Sequence, residues 1–290
     1  MNNDPVSRRR FLGLFAAAPV MAASPLSALL SAPRANGKQI PIGLELYSVR
    51  DELAKDLPGT VSAVAKMGYQ CVEFFSPYYS WTPDYAKTVR KQLDDLGIRC
   101  NSTHNDRRSF TDSGIKKAID LNKVLGADYV VLAHPGEEIK TADGWKQVAD
   151  LLNKANTTLS ATGLRAGYHN HDAEWHPVDG QRPMDILAAD TDKSIMLQFD
   201  VGTCLEAGAD PVAWINQNPG RIRSMHLKDW SPQHGYKVLF GEGVAPWKQL
   251  LTAAESVGGA QYYLIEQEGS RYPEIETAQR CLEAYRKLRA

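Results

Sequence analysis

The sequence predicts an α/β fold, a (β/α)8 barrel built as a single domain over residues 38 to 290. Two observations predict it. From Ile40 onward, short apolar runs rich in β-branched and aromatic residues alternate with longer segments of helical period. Eight such units can be marked off, and the roughly 250 residues they occupy are the usual length of a closed parallel barrel.

The first strand is placed at Ile42 to Tyr47, followed by a helix from Thr60 to Met67 that stops at Gly68. Cys71 to Phe75 and Ile98 to Thr103 are the next strands, with helices Asp84 to Leu96 and Gly114 to Leu125 ending at Gly97 and Gly126. Glycine just past the last turn accepts the left-handed conformation that closes a helix. Tyr129 to Ala133 leads to a helix from Gly144 to Ala161, near Gly163. The later strands are Arg165 to Asn170, Ile195 to Phe199, Ile222 to Leu227 and Tyr262 to Glu266, and residues 273 to 288 make the last helix. The rival is an open doubly wound sheet. Its usual glycine-rich phosphate turn after the first strand is missing after Tyr47. No linker, repeat or low-complexity tract divides residues 38 to 290.

The chain has 290 residues, 43% hydrophobic and 23% charged, with a formal net charge of -1 and a pI near 6.7. No block of Lys and Arg is set aside for phosphates, which excludes a nucleic-acid partner. Residues 1 to 35 carry the order of a secretory signal: Ser7, Arg8, Arg9, Arg10, Phe11 and Leu12, then a mildly apolar stretch from Gly13 to Ala23. The arginine pair before Phe-Leu resembles a twin-arginine export signal, which implies a periplasmic protein with no stable membrane association once the signal is cleaved. The plainer alternative is a basic tail or a short anchor. Without residues 1 to 35 the chain keeps 29 basic and 33 acidic residues, a mildly acidic protein. Cys71, Cys100, Cys204 and Cys281 are widely spaced with no CxxC pair, so they read as buried thiols. A homo-oligomer is compatible with all of this.

In a parallel barrel the functional groups stand at the C-terminal strand ends. Those ends carry Glu45, Glu73, His104, His134, His169, His171, Asp200, His226, Lys228, Asp229, Glu266 and Glu268, including five of the seven histidines. Singly, each has an ordinary explanation: a strand-end carboxylate often caps the next helix, and a lone histidine is more often hydrogen-bonded than metal-bound. Their convergence on one mouth argues otherwise. The densest run is Tyr168 to His176, where His169 and His171 share a strand face and Glu174 returns over the mouth from the loop. Imidazole and carboxylate donors together suit one divalent Mn, Co, Fe, Ni or Zn ion.

Strand six ends in Phe199-Asp200-Val201-Gly202, strand seven in Ser224-Met225-His226-Leu227-Lys228-Asp229, strand eight in Leu264-Ile265-Glu266-Gln267-Glu268. With the Gly241-Glu242-Gly243 turn before Trp247 and the Tyr47-Ser48-Val49-Arg50 start, this pattern resembles the xylose-isomerase-like superfamily of TIM barrels. That resemblance covers residues 38 to 290 and implies a metal held by Asp200, His226 and Glu266. Many members supply a strand-five glutamate as the remaining ligand, where this chain has His169; either His169 coordinates, or Glu174 reaches back. His169 is taken as the ligand.

Such a site implies an enzyme acting on a small carbohydrate. A divalent ion chelating a carbonyl and its neighbouring hydroxyl stabilises the enediolate left when a proton leaves the α-carbon. The expected activity is an isomerase or epimerase on an unphosphorylated sugar or keto-sugar, with elimination from a 3-keto-glycoside or inosose as runner-up. The substrate is expected to be unphosphorylated because phosphorylated sugars are chiefly cytoplasmic and no glycine-rich nest is present. Glu174 and His171 are the acid/base candidates and Lys228 steadies the oxyanion. Glu73, His104 and Trp175 line the substrate side, with Trp81 or Trp230 as further stacking rings. A sugar-binding barrel without turnover is the non-enzymatic alternative; it calls for aromatics and amides where this mouth offers ionisable groups.

Overall fold

The computed structural model describes residues 39–136 and 139–290; the export-signal expectation for residues 1 to 35 lies outside the described residues. Eight parallel strands close into a barrel in chain order, β1 pairing with β8. They are β1 Ile42–Glu45, β2 Cys71–Phe74, β3 Arg99–Asp106, β4 Tyr129–His134, β5 Arg165–His169, β6 Met196–Asp200, β7 Ser224–Leu227 and β8 Tyr262–Ile265. The outer helices are α1 Arg50–Lys55, α2 Leu57–Met67, α3 Pro83–Leu96, α4 Ile115–Leu125, α5 Ala142–Ser160, α6 Pro183–Asp190, α7 Val201–Glu206, α8 Pro211–Gln217, α9 Trp247–Ala253 and α10 Glu274–Arg289.

Local chemistry sets the boundaries. Thr82 and Thr141 cap α3 and α5 by accepting the N–H of Tyr85 and Gly144, and Gly126, at φ 76°, ends α4. Two strands end more than one residue away from the sequence expectation. β1 stops at Glu45 rather than Tyr47, because the Glu45 side chain accepts Tyr47 N–H at 2.5 Å and turns the chain into a 3-10 turn over Leu46–Val49. β3 runs three residues past Thr103, because His104, Asn105 and Asp106 go on pairing with β4.

The barrel interior follows the period of two along each strand. At the floor a cluster of Cys71, Tyr129, Val131, Met196, Tyr262 and Leu264 fills the lumen, and Tyr262 Oη reaches Met196 Sδ across it. Gly43 belongs to this layer, where a Cβ would sit 2.5 Å from Cys71 Sγ and 2.6 Å from its carbonyl. Two residues beyond Cys71 and Met196 the lining turns polar at Glu73 and Gln198, joined by Ser102 of β3 and Ser224 of β7, all fully buried. The outward set, including Val72, Phe74, Val130, Leu132, Leu197 and Phe199, joins the main core beneath the helices. The four cysteines are free and buried. No helix among the described residues is long and apolar enough to cross a membrane.

Candidate metal centre

One further step along the inward rows brings His104, His169, Asp200, His226 and Glu266 to the C-terminal end of the lumen. The pairing register sets Asp200 beside His226 and His169 beside Gln198. Donor atoms of His169, Asp200, His226 and Glu266 all lie within 4.8 Å of one another, and the four residues are buried. Two of these donors have no hydrogen-bond partner: His169 Nδ1 and Asp200 Oδ2. A buried donor atom left unpaired costs about 1–3 kcal/mol unless something absent satisfies it. Asp200 spends its other oxygen as the cap of α7, Oδ1 accepting Thr203 N–H at 2.9 Å, so helix capping and an open ligand atom occur on one carboxylate. Asn170 braces the strand end by accepting Asp200 N–H at 3.0 Å and donating to Thr203 Oγ1 at 2.8 Å. Two imidazoles and two carboxylates converging with unpaired atoms fit a divalent ion, and the cluster can hold one.

Glu73 lies beneath this set as a hub. Its Oε1 accepts from His226 Nε2 at 2.9 Å and His104 Nε2 at 3.0 Å; its Oε2 accepts from Gln198 Nε2 at 2.8 Å and from Ser102 Oγ. Burial pushes the Glu73 carboxyl up, but the two imidazoles outweigh it and hold it well below the usual range. His226 is thereby gripped at both nitrogens, its Nδ1 2.6 Å from Glu266 Oε2. Burial draws that imidazole down, and the hydrogen bonds and charges of Glu266 and Glu73 raise it to about 9. Burial and the surrounding imidazoles, His104 first, drive His169 far the other way, keeping it neutral. Burial lifts Asp200 to about 6 against the pull of Lys228.

Several residues stand elsewhere than the sequence suggested. Glu73 was expected on the substrate side; the barrel places it one layer below the mouth with both oxygens engaged. His104 is adjacent to the ion cluster, its ring parallel to His226 at 5.2 Å, with Nε2 also 2.7 Å from Gln198 Oε1. Trp175 does not face the mouth, because a 3-10 turn over Ala173–Trp175 packs it against Trp214 at 5.1 Å and Phe199 at 6.0 Å. Glu174 turns away from the cluster: Oε1 accepts Tyr168 Oη at 2.5 Å and Oε2 accepts His171 N–H at 2.9 Å. His171 is partly exposed and stacks on His134 at 5.5 Å. Lys228 is buried against Glu268, 3.7 Å from Asp200 Oδ2 and over the Tyr236 ring.

Sequence reasoning missed Gln198, Ser102 and Asn170. Gln198 had a signal, lying two residues before Asp200 and so on the same face. Asp229, named among the strand-end groups but given no role, organises the loop after β7: its oxygens accept from the N–H groups of Trp230, Gly241, Gly243 and Ala245 and from Trp247 Nε1.

An inosose dehydratase of Clostridium beijerinckii is 30% identical over 190 residues, 58% of this chain and 62% of that protein, so the chain matches less than two thirds of that relative's length. The inosose dehydratase of Geobacillus thermodenitrificans is 24% identical over 246 residues, covering 72% of this chain and 80% of its own. A solved sugar phosphate isomerase/epimerase of Parabacteroides distasonis superposes with a TM-score of 0.72 at 25% identity, covering 87% and 94% of the two chains. The expectation that isomerisation or epimerisation comes first, with elimination as runner-up, is overturned by the first two comparisons, in which both relatives are named inosose dehydratases. A family model described as a xylose isomerase-like TIM barrel matches residues 61–288, and by that match and its closed eight-stranded barrel the chain belongs to this family.

Proposed function

We propose that the chain is a divalent-metal-dependent lyase that eliminates water from an inosose, a cyclic polyhydroxy ketone, with a 3-keto-glycoside as the other substrate of the same elimination class. The observation that carries the reading is the buried donor set at the barrel mouth, in which His169 Nδ1 and Asp200 Oδ2 have no hydrogen bond and Asp200 Oδ2 has only the Lys228 ammonium 3.7 Å away. The dehydratase relatives favour elimination over the other outcomes of α-proton removal.

In this reading His169, Asp200, His226 and Glu266 hold the ion, and two nitrogens with two oxygens suit Mn, Co, Fe, Ni or Zn. When bound, it supplies Lewis-acid polarisation of the substrate carbonyl. Lys228 brings a fixed positive charge to the place where the carbonyl oxygen gains electron density. His171, partly exposed at the mouth and held neutral by the desolvation of its ring and by its neighbours His134 and Lys228, takes the α-proton. Glu174 positions it through the bond to its backbone N–H. His104 and Glu73 fix His226 from below.

The test is to incubate metal-loaded and metal-stripped protein with a panel of inososes and 3-keto-glycosides and follow loss of water, or of the aglycone, by mass spectrometry. Loaded protein is expected to convert at least one inosose and stripped protein none. Turnover by stripped protein, or no turnover by loaded protein across the panel, would overturn the reading. We also propose export through the twin-arginine-like segment; R8K/R9K together should hold the protein in the cytoplasm, and unchanged periplasmic recovery would contradict this.

A further inference from the structure

Lys228 stands where a divalent ion repels it. Its side chain is as deeply buried as the ion-binding residues, and its ammonium lies 3.7 Å from Asp200 Oδ2 and pairs with Glu268 Oε1. Three carboxylates act on that charge: Glu266, Asp200 and Glu268. The first two belong to the ion-binding set. With an ion in place their negative charges are spent on it, and its own charge faces the ammonium across Asp200. Glu268 is then the carboxylate left to Lys228. Counting it, the charges close: the ion and Lys228 bring three positive, and Asp200, Glu266 and Glu268 bring three negative. A cation does not stay in a buried slot without a counter-charge.

The slot is shaped around the lysine. Gly202, in the first turn of α7, leaves room for it, since a Cβ there would sit 3.0 Å from Lys228 Cγ, 2.9 Å from its carbonyl oxygen and 3.2 Å from Tyr236 Cε1. The Tyr236 ring covers the ammonium, its centroid 4.5 Å from Nζ, and an aromatic face attracts a desolvated cation. Tyr236 is itself tied down twice, donating its hydroxyl to Glu206 at the end of α7 and accepting Gln267 Nε2 on its carbonyl. Gln267 precedes Glu268 in the chain, so the loop after β7, the end of α7 and the segment after β8 all meet at this lysine. Neither Tyr236 nor Glu268 belongs to the ion-binding set.

We propose that Glu268 and Tyr236 are positioning residues that keep the Lys228 ammonium beside the occupied ion site, Glu268 as its counter-charge and Tyr236 as the wall that closes the slot. The part Lys228 plays in the reaction rests on the lyase reading above; its retention beside the ion does not. Without Glu268 the flexible stem of Lys228 carries the ammonium out to water when the ion arrives. The positive charge is then missing where the carbonyl oxygen gains electron density.

The experiment reads the place of the lysine and the reaction separately. Wild type, E268Q and Y236L, each with and without metal, are checked for ion content and thermal midpoint. Each is then labelled by brief reductive methylation, and the peptide carrying Lys228 is quantified by mass spectrometry. Lys228 is expected to be protected in wild type in both states and in metal-free E268Q, where Asp200 and Glu266 still hold it. In metal-loaded E268Q it should label about tenfold faster or more, the shift that loss of one charged hydrogen bond allows. Y236L should label faster than wild type in both states. With an inosose, loaded E268Q should keep KM within about threefold and lose about tenfold or more in kcat. K228M should lose about 100-fold or more, and K228M/E268Q no more than K228M alone, because Glu268 acts through the lysine.

Equal protection of Lys228 in loaded E268Q and loaded wild type, additive losses in the double variant, or loss of the ion from E268Q overturns the assignment of Glu268. Should E268Q not fold, equal labelling of loaded E268D, which keeps the charge, and loaded E268A overturns it. Labelling of Y236L at the wild-type rate overturns the part of Tyr236. A wild type inert toward every inosose removes the lyase reading, and the labelling then decides the place of Lys228 by itself.

Discussion

Glu73→Gln removes the charge at the hub while keeping its shape. Glu73 accepts four hydrogen bonds on two oxygens, from His226, His104, Gln198 and Ser102. Glutamine offers one oxygen, and its NH2 must face donors, leaving one or two of them unpaired at about 1–3 kcal/mol each. The hydroxyl of Ser102 rotates to accept from the new amide, but Gln198 cannot flip without turning its NH2 toward His104 Nε2, so metal-free protein should lose stability within that range. The greater effect falls on the ion. A carboxylate behind a ligating imidazole fixes its orientation and raises its basicity, and removing one typically costs 10–100-fold in metal affinity, about 1.4–2.7 kcal/mol. Losing the Glu73 charge also lets His226 shed its proton more easily, which opposes the loss near neutral pH. Affinity is therefore compared by chelator competition at several pH values, taking the limit where His226 is unprotonated. E73Q is expected to bind at least tenfold more weakly there. Binding within twofold of wild type would refute the assignment of Glu73 as the support of His226.

Ion uptake should release protons. His226, raised to about 9 in the metal-free protein, carries a proton at pH 7 that must leave before the imidazole can ligate, so apparent affinity should climb about tenfold per pH unit from 7 toward 9 and then level. Calorimetry in buffers of different ionisation enthalpy reads that release, and an enthalpy independent of buffer at pH 7 would contradict it. D229N places an amide against five donors in the loop after β7, leaving at least one unpaired at about 1–3 kcal/mol, so the thermal midpoint should fall and proteases should cut within residues 230–246. A wild-type midpoint and digestion pattern would show that Asp229 does not hold that loop.

The barrel was legible because its period of two and its strand ends are written locally: all eight strands fall where apolar runs stop at polar residues. Depth was not legible. Glu73 and His169 both occupy late strand positions, yet closure of the barrel and the register between β2 and β3 put one under the ion cluster and the other in it. Gln198 sat inside an apolar run and was passed over, although its place two residues before Asp200 marks it as inward. The ambiguity between His169 and Glu174 lay in the loop after β5, where Tyr168 and the His171 N–H draw the Glu174 carboxylate away from the cluster. Trp175 failed as a mouth residue for a like reason, since the 3-10 turn that carries it faces the outer helices. Loop geometry of this kind depends on partners distant in sequence.

The central claim is that His169, Asp200, His226 and Glu266 hold one divalent ion. Its most direct measurement is metal content per chain after loading with manganese, cobalt or zinc and removal of excess, for wild type and for D200N/H226Q, with circular dichroism confirming that both are folded. The account expects one ion per chain in wild type and almost none in the folded variant. A full ion in the variant, or none in wild type with any of the three metals, would contradict it.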